Sequence, residues 1–129
     1  METVLFINLI NTDKGQIMTT ILSQLGIKVI HINEVSNHKA LGYILDLDGF
    51  QPDELEEKQA IDQEMIIFHN FSEEQVQIVM DVFKSANVPY IPLKATTTPN
   101  NIEWSPFKLF QEVQKEVEYI KSQNQLFNA

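Results

Sequence analysis

Short, unbroken apolar runs alternate along this chain with longer segments whose apolar residues recur at helical spacing. Residues 4–7 and residues 65–68 are continuously apolar, and each run gives way at once to asparagine, as Asn8 and as His69 followed by Asn70. Strands covered on both faces read this way, so these two are expected side by side in the middle of a sheet. Residues 27–32 are strand-like but interrupted by Lys28 and His31, and residues 88–93 carry Pro89 and Pro92. Each proline removes a ladder donor, so these two runs are expected at the sheet edges.

Helical patterns lie between the strands. Thr12 or Asp13 can cap a helix with Ile17, Ile21 and Leu25 on one face, closed by Gly26. Ser72 and Gln75 stand at capping-box spacing ahead of a stripe of Val76, Val79, Met80 and Phe83. A last helix opens at Ser105 with Pro106 in its first turn. Phe107, Phe110, Val113, Val117 and Ile120 follow down one side, and fraying is expected after about Ser122.

The strand–helix–strand halves resemble one another. Residues 4–9 align with 66–71 and residues 27–32 with 88–93, which reads as an internal repeat. The expected organisation is one domain over residues 1–129, with related halves 1–45 and 64–122 joined by an acidic connector, 46–63. From Asp46 to Glu64 the chain holds eight acids and one cation, Lys58, which reads first as a solvated linker and alternatively as an acidic docking or cation surface. The fold expected is an α/β four-stranded, mainly parallel sheet in the order 2-1-3-4 with helices on both faces. The alternative is a ferredoxin-like α+β sheet in the order 4-1-3-2, which wants a tight hairpin between strands 2 and 3. Residues 33–64 are long enough for a crossover, which favours the parallel sheet.

Composition narrows the classes of function. Eighteen acidic residues against nine basic ones, all lysine, give a formal charge of −9. A chain of that charge with no guanidinium is not expected to bind nucleic acid or an anionic membrane. The absence of cysteine removes disulfide and thiolate chemistry, and no run is long and apolar enough for a transmembrane helix. No secretory leader is recognisable, so the expected location is the cytoplasm.

In a parallel sheet, ligands gather where the strand carboxyl ends meet at the switch in strand order. That places Asn8, His69, Asn70, Lys94, Thr96, Thr98 and Asn101 as candidate ligand-binding residues, with His31 and Asn33 nearby. Most Asn, Thr and Ser at such positions only cap helices and shape turns. His31, His38 and His69 lack ligand spacing, so no metal is expected, and the absence of any cofactor or catalytic motif implies none is bound.

Lys94 opens a segment that ends in the single tryptophan, Trp104, ahead of the last helix. Its pattern, Lys-Ala-x-x-Thr-Pro-x-Asn-x-x-Trp-Ser, resembles the bacterial domain of unknown function 3783 family over residues 64–120. The resemblance implies a fold and places Lys94, Thr98, Pro99, Asn101 and Trp104 at the family's signature positions, with Pro99 and Trp104 as structural anchors. It implies no reaction. The expected role is a non-catalytic binding or regulatory module recognising a small anionic ligand or a protein partner. The alternatives are a small-metabolite enzyme using His69 or Lys94 as acid or base, and a homodimer paired through an edge strand or the last helix.

Overall fold

The computed structural model describes residues 1–128, with side chains through residue 124. In chain order it comprises β1 (Thr3–Ile7), α1 (Asp13–Gln24), β2 (Lys28–Ile32), α2 (Leu41–Ile44), β3 (Met65–His69), α3 (Glu73–Ser85), β4 (Leu93–Thr96), a 3-10 turn (Asn101–Glu103) and α4 (Pro106–Asn128). The strands form one sheet in the order β2-β1-β3-β4, with β1 and β3 central as their unbroken apolar character implies.

β1 runs parallel to β2 and β3 runs parallel to β4, but the β1–β3 seam is antiparallel. The reason lies in residues 33–64. A crossover would carry the chain back to the opposite edge of the sheet, but this connection contains only the short α2 and stays at the edge where β1 and β2 end. It is fastened there: Asn8 Nδ2 donates to the carbonyls of Ile61 (2.6 Å) and Gln63 (3.0 Å), and Leu55 N–H donates to His38 O (2.9 Å). β3 therefore starts beside the end of β1, with Met65 opposite Ile7, and must run the other way. The acidic connector is wet on its outer side but anchored along its length. The seam pairs Leu5 with Ile67 at its centre, flanked by Val4 with Phe68 and Phe6 with Ile66.

Side chains alternate across the sheet, giving two apolar layers. Val4, Phe6, Ile66 and Phe68 meet α1 and α3 on one face, whereas Leu5, Ile7, Met65 and Ile67 meet α2, Ile61 and α4 on the other. Two details depart from the sequence pattern. β4 begins at Leu93, because Pro89 and Pro92 keep residues 88–92 out of the ladder, so Lys94 and Thr96 lie within the strand. α1 buries Gly15, Met18 and Leu22, leaving Ile17 and Leu25 about half exposed. α3 keeps its expected capping box, and α4 continues as helix through Asn128 beyond the fraying expected after Ser122. Ala129 lies outside the described residues.

Candidate functional site

The antiparallel seam divides the residues that a parallel sheet would have gathered. Asn8, Asn33 and His31 sit at the edge where β1 and β2 end, and His69, Asn70 and Thr97 sit at the opposite edge, beside Thr3. With strands rising about 3.3 Å per residue, the four steps from Thr3 to Ile7 separate the two edges by roughly 13 Å. Asn8 and His69 therefore cannot share one small ligand.

At the His69 edge most polar groups are already engaged. His69 Nδ1 lies 2.8 Å from Thr97 Oγ1, and Asn70, in the left-handed region at φ 64°, donates to Met1 O at 3.2 Å. Asn8 occupies the matching place after β1 at φ 59°, a conformation asparagine tolerates better than most residues. The turn after β4 is a closed network. Thr98 N–H donates to Asn101 Oδ1 (2.8 Å), Asn101 N–H donates to Thr98 Oγ1 (2.9 Å), and Asn101 Nδ2 donates to Thr96 O (3.0 Å). Thr98 and Asn101 thus hold the loop in shape and keep little capacity for a ligand. Pro99 sits in this turn, and Trp104 passes its carbonyl to Leu41 N–H (2.8 Å) while its ring, half-buried, carries the Lys108 ammonium at 4.5 Å. Ser105 Oγ then caps α4 by accepting from Lys108 N–H at 3.0 Å.

Lys94 lies elsewhere. It pairs with Ile66 and so shares that residue's face, towards α1 and α3, whereas His69 follows Ile67 onto the other face. The two groups offered by the sequence as acid and base therefore do not converge. Lys94 Nζ donates to Ile91 O at 2.6 Å and stands 4.1 Å above the Tyr90 ring, at a cleft of about 490 Å³ walled by Met80, Phe83, Val88 and Ile91. Thr96 and Thr98, with Lys94 again at one end, border a groove along α4 whose other wall carries Glu112 and Glu116. An anion would be repelled there, so the cleft on the other face of β4 suits it better.

Asn37, which sequence reasoning passed over, and His38, which it weighed only as a metal ligand, are among the most buried polar groups of the described residues. Asn37 is 4% exposed and His38 is 1% exposed, both just past β2. His38 Nε2 accepts the Gln59 N–H at 2.6 Å and its ring lies against Phe107, which fixes the connector to the body of the fold. The capping pattern of Asn33, whose Oδ1 accepts from Val35 and Ser36 N–H at 3.0 Å each, was the one available hint that the chain turns inward there. Among the described residues, no cluster of three or more His, Asp or Glu side chains could hold a metal ion. No helix among them is long and apolar enough to cross a membrane.

With this geometry in view, residues 64–120 match the family model described as Domain of unknown function (DUF3783). The match spans β3, α3, β4, the closed turn at Thr98 and Asn101, and most of α4. Over this stretch the chain resembles that family. No curated protein and no solved structure matches the chain.

His31 and His69 bind protons less readily than an ordinary histidine. Burial lowers His31, and burial followed by the nearby N-terminal ammonium lowers His69. In the unfolded chain both rings return to the ordinary value of 6.5, so between that value and the lower folded values the unfolded state holds more protons. Their contribution is therefore complete above pH 6.5 and declines as pH falls below it. Urea midpoints at about pH 7.5 and 5.5, compared with a His31→Phe/His69→Gln variant, should show a steeper acid loss in the natural protein. Parallel pH dependence in the two proteins would contradict this.

Proposed function

We propose that the protein is a non-catalytic binding module for a small amphipathic anion, an apolar body ending in a carboxylate or similar group. The observation that supports it is the Lys94 ammonium over Tyr90 at the mouth of a largely apolar cleft whose other polar side chains are Gln77, Asp81 and Lys84. The cleft volume lies in the range of small-molecule sites, and such sites combine apolar walls with few polar groups. Met18 and Met80 in its walls can adapt to a ligand's shape. Lys94 uses one ammonium proton on Ile91 O, leaving two donors for an anion. The overall charge of −9 repels an anion at long range, but beyond about 8 Å that field is screened, and inside it Lys94 and Lys84 outnumber the one carboxylate, Asp81, which accepts from Gln77 Nε2 at 2.9 Å. The same charge and the absence of arginine fit a role without nucleic acid.

Titration of a medium-chain or aryl carboxylate into isotopically labelled protein should shift Tyr90, Ile91 and Lys94 to saturation. The corresponding neutral amide should bind there about tenfold more weakly. Lys94→Ala should remove that preference while lowering the thermal midpoint by no more than about 5 °C, since one hydrogen bond contributes about 1 kcal/mol. Equal binding of acid and amide, or binding unchanged in Lys94→Ala, would reject the reading.

A further inference from the structure

β4 is the last strand of the sheet, and its outer side carries no neighbour. Thr97 N–H donates to Phe68 O at 2.9 Å, so residue 97 turns its backbone towards β3. Backbone direction alternates along a strand, and Leu93 and Ala95 therefore turn the same way. Lys94 and Thr96 turn theirs outward. Asn101 Nδ2 already meets Thr96 O at 3.0 Å, which leaves Lys94 N–H, Lys94 O and Thr96 N–H without a ladder partner. Sheet edges are commonly blunted by proline or by a charge standing over them. Here Pro89 and Pro92 lie before β4 begins, and the Lys94 ammonium is drawn onto Ile91 O and Tyr90. Residues 94–96 are open to a fifth strand.

Such a strand would lie about 4.8 Å outside β4. Beside it runs the groove of about 350 Å³ between β4 and α4, with Leu109, Glu112, Val113 and Glu116 on the helix wall. Ala95 packs on the α4 face of the sheet, so a residue laid beside Ala95 sends its side chain into that groove. A long side chain would rest its apolar stem on the wall and bring its head to the two carboxylates. Glu112 and Glu116 stand one helical turn apart and can share one cation. Lys115, 3.4 Å from Glu112 in an exposed pair, competes only weakly. The net charge of −9 attracts a basic partner and disfavours a second copy, which would bring the same acids to the seam.

We propose that β4 accepts an extended segment of a basic partner protein as an added strand, with a lysine or arginine beside Ala95 held by Glu112 and Glu116. This pairing uses the backbone of Lys94 rather than its ammonium, and so stands apart from the carboxylate cleft on the other face.

The probes are acetyl-Thr-Val-Lys-Val-Thr-amide, its counterparts with norleucine or glutamate at the centre, and the lysine peptide N-methylated at its three central residues. Each is titrated into isotopically labelled protein and followed by NMR. The lysine peptide should shift the Lys94 and Thr96 amides and slow their hydrogen exchange. Norleucine should bind about fivefold more weakly, glutamate more weakly still, and the N-methylated peptide not at all. Glu112→Gln/Glu116→Gln should bind the lysine and norleucine peptides equally while keeping the thermal midpoint of the natural protein, since both carboxylates reach solvent. The proposal fails if no peptide shifts these amides at millimolar concentration, if lysine and glutamate peptides bind alike, or if N-methylation leaves binding intact. It fails equally if the double variant keeps the lysine preference. A free protein that is already a dimer, with the Lys94 and Thr96 amides protected, would give the edge to a second copy and overturn it.

Discussion

Gly15→Ala should destabilise the protein by at least about 3 kcal/mol, although alanine normally favours a helix over glycine by about 1 kcal/mol. Gly15 lies in the first turn of α1, where Thr12 Oγ1 accepts its N–H at 3.0 Å and itself donates to Leu9 O at 2.8 Å. A Cβ at this position would overlap the Leu9 carbonyl oxygen and come within 2.8 Å of the Leu9 carbonyl carbon and of Thr12 Oγ1. Most of the obstruction is backbone, so relief requires α1 to move off the sheet and uncover Met18 and Leu22. Gly26→Ala is the control: nothing lies within 4 Å, and only the positive φ of 75° opposes it. That strain costs about 1–2 kcal/mol. Denaturant midpoints compare the two directly. A Gly15→Ala protein as stable as Gly26→Ala would mean that the α1 contact with Leu9 has been misjudged.

Phe68→Ala is expected to cost about 3–5 kcal/mol, the range for emptying a large buried aromatic site. Phe68, the fourth of the five β3 residues, is 1% exposed, faces α1 and α3, and meets the Phe71 ring edge-on at 5.2 Å. Its neighbours Val4, Ile66 and Phe83 are held by the sheet and α3, so the site can collapse only partly. Trp104 is larger but half-buried, with the Lys108 ammonium 4.5 Å over its ring. Trp104→Ala should therefore cost less than Phe68→Ala in the same denaturant titration. The reverse ranking would mean that the loop before α4, rather than the β3 core, limits stability.

Much of this architecture was readable from residue order. The unbroken runs at residues 4–7 and 65–68 identified the central strands, and the strand order and the Ser72 capping box followed from local pattern. Strand direction did not, because a continuous apolar run buries equally well either way up. The antiparallel seam depends on tethers such as Asn8 to Ile61 and His38 to Gln59, which join residues far apart in the chain. In α1 the pattern of Ile17, Ile21 and Leu25 was genuine, yet the close approach at Gly15 rotates the helix so that Met18 and Leu22 face inward. For the site, Lys94 was visible as the cation after a strand, whereas its cleft is made by α3 and residues 88–91 together. Asn37 and His38 carry no motif. Their burial comes from contacts with Phe107, far along the chain, which no spacing encodes.

The antiparallel seam has a consequence for the nascent chain. Leu5 pairs with Ile30 in its own half but with Ile67, 62 positions later, across the seam. Closing the longer loop costs only about 0.8 kcal/mol more than the shorter one, so the equilibrium barely registers the difference. Time does register it. At about 5–20 residues per second, roughly 3–12 s separate the emergence of β1 from that of its second neighbour. Throughout that interval Val4, Leu5, Phe6 and Ile7, fully covered in the finished fold, present one unpaired backbone edge to their surroundings. The acids of residues 46–64 emerge during the same interval, so the half-made chain already carries a repulsive charge before its seam can close.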